Sequence, residues 1–153
     1  MRHALFAALA LAATACDAPS TTPAPSAGPA GPAPEAIAAS LAELPAPYAG
    51  GDYIRGRSVF LRCKACHLLA AEAGHRAGPN LARLFGREAG AAAGFAYSAA
   101  LEDAEIVWSA ETLDRFLAGP QTYLPGNRMS FAGLKDATER RDVIAYLKVE
   151  SDR

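Results

Sequence analysis

The sequence predicts an all-α domain with long irregular loops, preceded by a segment that contributes little to a core. Three observations carry this expectation. No stretch of the 153 residues sustains the apolar/polar alternation that a half-buried strand requires. Apolar residues recur at helical spacing near both ends of residues 49–153, at Ile54, Val59 and Phe60 and again at Val143, Ile144, Tyr146 and Leu147. Eight of the eleven prolines fall between Asp17 and Pro47, in a run of Ala, Pro, Ser, Thr and Gly too poor in bulky apolar side chains to offset the entropy of ordering.

Taken in order, Met1-Arg2-His3 is a short basic region and Ala4 to Ala12 an apolar one. That run is far too short for a membrane-spanning helix but suits a secretory signal, so residues 1–15 are expected to be a signal peptide. Cleavage after the small residues Ala13, Thr14 and Ala15 would leave Cys16 first in the mature chain. The segment resembles a bacterial lipoprotein signal, which implies lipidation at Cys16, although Ala13 stands where leucine is commonest. Asp17 resembles the signal that retains lipoproteins at the inner membrane.

Residues 16–48 are then expected to form a flexible Ala/Pro-rich linker. Within it, Glu35 to Leu44 places Ile37, Leu41 and Leu44 at helical spacing, but ten residues are too few for a stable isolated helix. A fraying turn or weak packing is expected there. Residues 49–153 make one domain of ordinary size. Its first helix is expected over Asp52 to Arg62. A middle one covers Glu111 to Leu117, with Ser109 as N-cap and Gly119-Pro120 as its stop. A last helix opens with Asp136-Ala137-Thr138-Glu139, which has the form of a capping box.

Between the first two helices lies Cys63-Lys64-Ala65-Cys66-His67, the attachment pattern of a c-type haem. Each thiol adds to one vinyl group of the porphyrin, and the histidine on the same turn can bind the iron. Half of a zinc site or a dithiol redox motif are the other readings, but a zinc ribbon needs a second ligand pair. The only other cysteine is Cys16 and the only other histidines are His3 and His75. With two cysteines in thioethers, no pair remains for a disulfide. For a sixth iron position the candidate is Met129, because Met1 is the initiator. Met129 follows a Pro125-Gly126 turn and is flanked by Arg128 and Ser130, a setting better suited to a loop presenting a thioether than to core filling. The formal net charge of −1 argues against a nucleic-acid partner.

These residues sit in a longer pattern. Gly78-Pro79-Asn80-Leu81, Leu84-Phe85-Gly86-Arg87, Gly94-Phe95-Ala96-Tyr97-Ser98, Trp108, the stretch Tyr123 to Phe131, and Ile144-Ala145-Tyr146-Leu147-Lys148 follow in order. From Gly51 to about Lys148 the chain resembles a class I cytochrome c of the mitochondrial and bacterial c2 type. The resemblance implies three to five helices around one haem c held by thioethers to Cys63 and Cys66, with His67 and Met129 as axial ligands. It implies that the Pro79 carbonyl orients His67, that Arg87, Tyr97 and Trp108 surround the haem propionates, and that Gly56 lies where the first and last helices cross. Phe116 and Leu101 replace a tyrosine and an asparagine frequent in the family, making the pocket drier. Arg128 replaces a lysine.

The function implied is single-electron transfer, with no catalysis of its own. Expected partners are redox complexes, such as a bc1-type donor and a terminal oxidase or photosynthetic reaction centre as acceptor, met by a monomer. The location expected is the periplasmic face of a bacterial inner membrane, through a lipid anchor, or else the soluble periplasm. Two other readings stay open: a haem sensor or peroxidase-like protein with a labile Met129, and a fixed haem subunit of an oxidase. Lysine is sparse: from Gly51 onward there are 14 basic and 13 acidic residues. A tether that raises local concentration is expected to replace long-range charge steering.

Overall fold

A computed structural model describes residues 31–153; residues 1–30, with the expected signal peptide, Cys16 and the first part of the linker, lie outside the described residues. Helix α1 (Pro34–Ala42) leads through a 3-10 turn (Tyr48–Gly50) into α2 (Tyr53–Phe60). There follow a 3-10 turn (Ala71–Ala73), the one-turn helix α3 (Ala99–Glu102), α4 (Ala110–Ala118), the one-turn α5 (Pro120–Tyr123) and α6 (Ala137–Ser151). No strand forms among the described residues; one isolated bridge joins Glu88 to Val107. The fold is all-α.

Helix α2 starts where the Asp52 side chain accepts the Arg55 N–H at 2.9 Å, satisfying a donor that the first turn leaves unpaired. It crosses α6 at Gly56. A Cβ there would lie 2.0 Å from the Asp142 carbonyl oxygen and 2.8 Å from the Tyr146 Cβ, so the two backbones meet with no side chain between them. The ring of Tyr146 lies against Tyr53 and Phe60, with centroids 5.3 and 5.2 Å away. Asp142 is buried at the same crossing and accepts from the Asp52 N–H at 2.9 Å, Arg55 Nε at 2.8 Å and Arg141 Nη2 at 3.0 Å. Burial pushes its carboxyl up, but those three bonds outweigh it and hold the group below its ordinary value.

At α6 only half of the expected capping box forms. Asp136 accepts the N–H groups of Thr138 and Glu139, while the Glu139 side chain turns away to pair with Arg62. The complete box is at α4, where Ser109 Oγ accepts the Thr112 N–H at 3.2 Å and Thr112 Oγ1 accepts the Ser109 N–H at 2.7 Å. Gly119 ends α4 as expected, but Pro120 opens α5, since a proline at a first helical position loses no hydrogen bond.

Of the two expectations for Glu35 to Leu44, the structure shows packing on the domain rather than a fraying turn. The segment is an ordered helix, and with its following turn it lies against α6. Leu44 and Tyr48 are buried in the core cluster, and Glu43 reaches Lys148 Nζ at 2.7 Å. A helix too short to stand alone is stabilised by the surface it covers. Removing that packing with Leu44→Ala should cost the holoprotein about 2 kcal/mol of unfolding free energy. Glu35→Ala, on the exposed side, should stay within about 0.5 kcal/mol of wild type. Equal, small effects in denaturant titrations would mean that the segment is a linker after all.

Candidate functional site

The turns that continue α2 place the attachment motif. The N–H groups of Cys63 and Lys64 bond the Phe60 carbonyl, and that of His67 bonds the Cys63 carbonyl at 2.9 Å, so both thiols and the imidazole emerge within one stretch of coil. Cys63, Cys66, His67 and Met129 all line a single cavity of about 460 Å³. The two cysteines are not bonded to each other. Burial pushes the Cys63 thiol up to about 11.

His67 Nδ1 lies 2.8 Å from the carbonyl oxygen of Pro79. A carbonyl can only accept, so Nδ1 carries the proton and Nε2 keeps its lone pair, the tautomer that can bind a metal. Gly78 allows this approach: a Cβ there would sit 2.4 Å from His67 Cε1. Burial lowers the imidazole's proton affinity, with the bond to Pro79 opposing, which favours the neutral ring.

Arg87, Tyr97 and Trp108 also line the cavity. Backbone bonds from Gly86 N to Trp108 O at 2.8 Å and from Trp108 N to Arg87 O at 2.9 Å hold the two segments side by side. The guanidinium of Arg87 donates through Nη1 to Ala82 O at 2.9 Å and through Nη2 to Asn80 O at 3.1 Å. Its Nε and the Ser98 hydroxyl are buried without a protein partner. Burial lowers the basicity of Arg87 and, nearby, suppresses ionisation of Tyr97. Two buried donors on an otherwise largely apolar wall are what a ligand with carboxylates at one edge requires.

The rest of the wall includes Leu81, Leu101, Phe116 and Leu147. Phe116 meets Trp108 and Tyr123 edge-on, with centroids 5.2 and 6.2 Å away. Neither Phe116 nor Leu101 brings a polar side-chain atom to the cavity.

The sequence reading did not single out the residues that hold the Met129 loop. Asn127 is buried and donates to Pro120 O at 2.9 Å and Leu124 O at 2.7 Å, while its Oδ1 accepts the Met129 N–H at 3.0 Å. Gln121 Nε2 adds a bond to Met129 O at 2.9 Å. On the other side, Asn80 donates to Ala70 O and Gly74 O, and its N–H meets His75 Nδ1 at 2.9 Å. The Nε2 of His75 lies 2.9 Å from Ala93 O, linking two loops. Asn127 carried a signal of its own, an asparagine directly after Pro-Gly, but a turn residue on a surface looks the same in a sequence.

A flat apolar macrocycle, acidic at one edge and tied through two thiols, fits a cavity so lined, and that makes the chain a c-type haem protein. The cytochrome c family model matches residues 53–149, and the chain belongs to that family. It is 50% identical over 110 residues to the cytochrome c of Chlamydomonas reinhardtii, covering 71% of this chain and 95% of the relative. It is 44% identical over 114 residues to that of Guizotia abyssinica, covering 74% of this chain and 99% of the relative. The structure of cytochrome cH from Methylobacterium extorquens matches with a TM-score of 0.61 at 38% identity, covering 64% of this chain and 98% of that one. The protein is a haem-based electron carrier with redox proteins as partners, and it is not an enzyme.

Asn127→Ala would strip the Met129 N–H of its partner and remove a second donor from the Pro120 and Leu124 carbonyls, each of which keeps a backbone N–H. It should cost about 2 kcal/mol of stability and speed hydrogen exchange at the Met129 amide about ten-fold or more. Unchanged exchange would show that the loop is held by something else.

Proposed function

We propose that the protein is a single-electron carrier with His67 and Met129 as axial ligands, tethered by a lipid on Cys16 to the periplasmic face of a bacterial inner membrane. In this reading it shuttles between a bc1-type donor and a terminal oxidase or reaction centre as a monomer. One observation supports the ligand pair above all: Met129 and an imidazole already fixed in its metal-binding tautomer line the same cavity. Bound haem c would supply one reversible electron through its ferrous and ferric states.

The chain's residues set the conditions for that exchange. The Pro79 carbonyl orients His67 and raises its basicity as a ligand. The Met129 loop, pinned by Asn127 and Gln121, disfavours departure of the thioether, and this favours a carrier over a sensor with a labile sixth ligand. Arg87 and Ser98 would neutralise and bond the propionates, limiting reorganisation when the charge changes. Phe116 and the leucines would exclude water.

With Met129→Ala, the reduction potential of the holoprotein should fall and its ferric form should bind added imidazole at least about ten-fold more tightly. A potential and an affinity equal to wild type would rule out Met129 as a ligand. The tether is separable from the ligand set: the mature protein isolated from bacterial membranes should begin at Cys16 and carry the added mass of its acyl chains. An unmodified N-terminus would return the protein to the soluble periplasm.

A further inference from the structure

Residues 34–48 precede the stretch that the cytochrome c family model matches, which begins at residue 53, yet they pack as part of the domain. Their course follows α6. Glu43, just past α1, meets Lys148 Nζ at 2.7 Å, and eight residues later Gly51 comes so close that a Cβ there would lie 2.5 Å from the Ala145 Cβ and 2.9 Å from the Arg141 carbonyl oxygen. Between these points the chain runs antiparallel to α6, with Leu44 and Tyr48 buried in the core cluster. The partner of Glu43 is itself well held: the Lys148 side chain is only 12% exposed, its ammonium also meets Asp152 at 2.7 Å, and it lies 5.5 Å from the centre of the Phe85 ring. A mere spacer has no use for a buried leucine, a buried tyrosine and an ion pair to a nearly covered lysine.

This fastening shortens the chain left free on the N-terminal side. Between Cys16 and α1 lie residues 17–33, 17 in all; were the segment undocked as far as Tyr48, the free stretch would be residues 17–47, or 31. For coils of these lengths the mean spans are about 23 and about 31 Å. The docked segment also lies on α6, whereas the attachment motif continues α2. Motion of the tether is thus received by α6 and not by the start of α2 at Asp52, eleven residues before Cys63.

We infer that residues 34–48 are a clasp that fastens the tether along α6 and holds its free length to about half of what the sequence allows. The inference rests on the Cys16 tether reading and specifies how much of that tether is in use. From Gly51 onward the 14 basic and 13 acidic residues leave little long-range steering, so the local concentration that a tether maintains matters more. Beyond the span it must bridge, that concentration falls as about the −3/2 power of the free length, and a docked clasp opposes the fall.

The test uses the full-length holoprotein with its native N-terminus, reconstituted in vesicles of phosphatidylglycerol and phosphatidylethanolamine that carry a fluorescent headgroup quenched by haem. In the wild type, the amides of Ile37 and Leu44, which bond Ala33 O at 3.1 Å and Leu41 O at 3.0 Å, should exchange hydrogen at least about ten-fold more slowly than in a free chain. Leu41→Ser/Leu44→Ser should abolish that protection, and headgroup quenching should fall about 2.5-fold with the local haem concentration. A 14-residue Gly/Ser insertion after Ala30 matches the added length and should lower quenching equally while leaving the amides protected. Unprotected wild-type amides, or quenching unchanged when the clasp is released, overturns the inference. The wild-type exchange rates need no variant, so they decide the matter even where the serine variant loses haem. A wild type that does not join the vesicles overturns tether and clasp together, whereas a vesicle-bound wild type with unprotected amides overturns the clasp alone.

Discussion

The backbone of α2 meets that of α6 at Gly56 with nothing in between, and the placement of the site depends on this contact. Any larger residue would drive a Cβ into the Asp142 carbonyl and separate the helices. Because the attachment motif is a direct continuation of α2, separating them would move both thiols and His67 relative to Leu147 and Val143, which wall the same cavity from α6. The buried Asp142 and its three donors tie the start of α2 to the same point, so the crossing is fixed by a close approach and a satisfied charge together.

From that crossing, two loops close over the cavity, and each is held by an asparagine rather than by regular structure. Asn80 organises the side that carries Pro79 and Arg87; Asn127 organises the side that carries Met129. Long loops lining an apolar cavity would otherwise leave buried carbonyl and N–H groups without partners, and an amide side chain can satisfy several at once. The polar atoms left without a partner among the described residues, Arg87 Nε and Ser98 Oγ, both belong to residues that line the cavity and can serve a carboxylate-bearing cofactor.

Much of this was legible in the sequence because the informative features were local. The spacing of Cys63, Cys66 and His67, the Ser109 and Asp136 caps, and the apolar faces of α2 and α6 each depend on neighbours within a turn or two. What escaped depended on distant partners. Glu139 could have closed a capping box and instead meets Arg62, which lies 77 residues earlier. The helix at Pro34 looked too short to persist because its stability comes from α6, more than 100 residues later. Asn127 reads as an ordinary turn residue until its partners are in place, and the exposure of Ile54 and Leu61 appears only once the opposite face of α2 is committed to α6.

The central claim is that His67 and Met129 close the iron from both sides, and it is tested most directly by the long-wavelength absorption spectrum of the ferric holoprotein at neutral pH. A weak sulfur-to-iron band, absent after replacement of Met129, is the predicted result. A wild-type spectrum without that band would contradict the account and leave an open or differently filled sixth position.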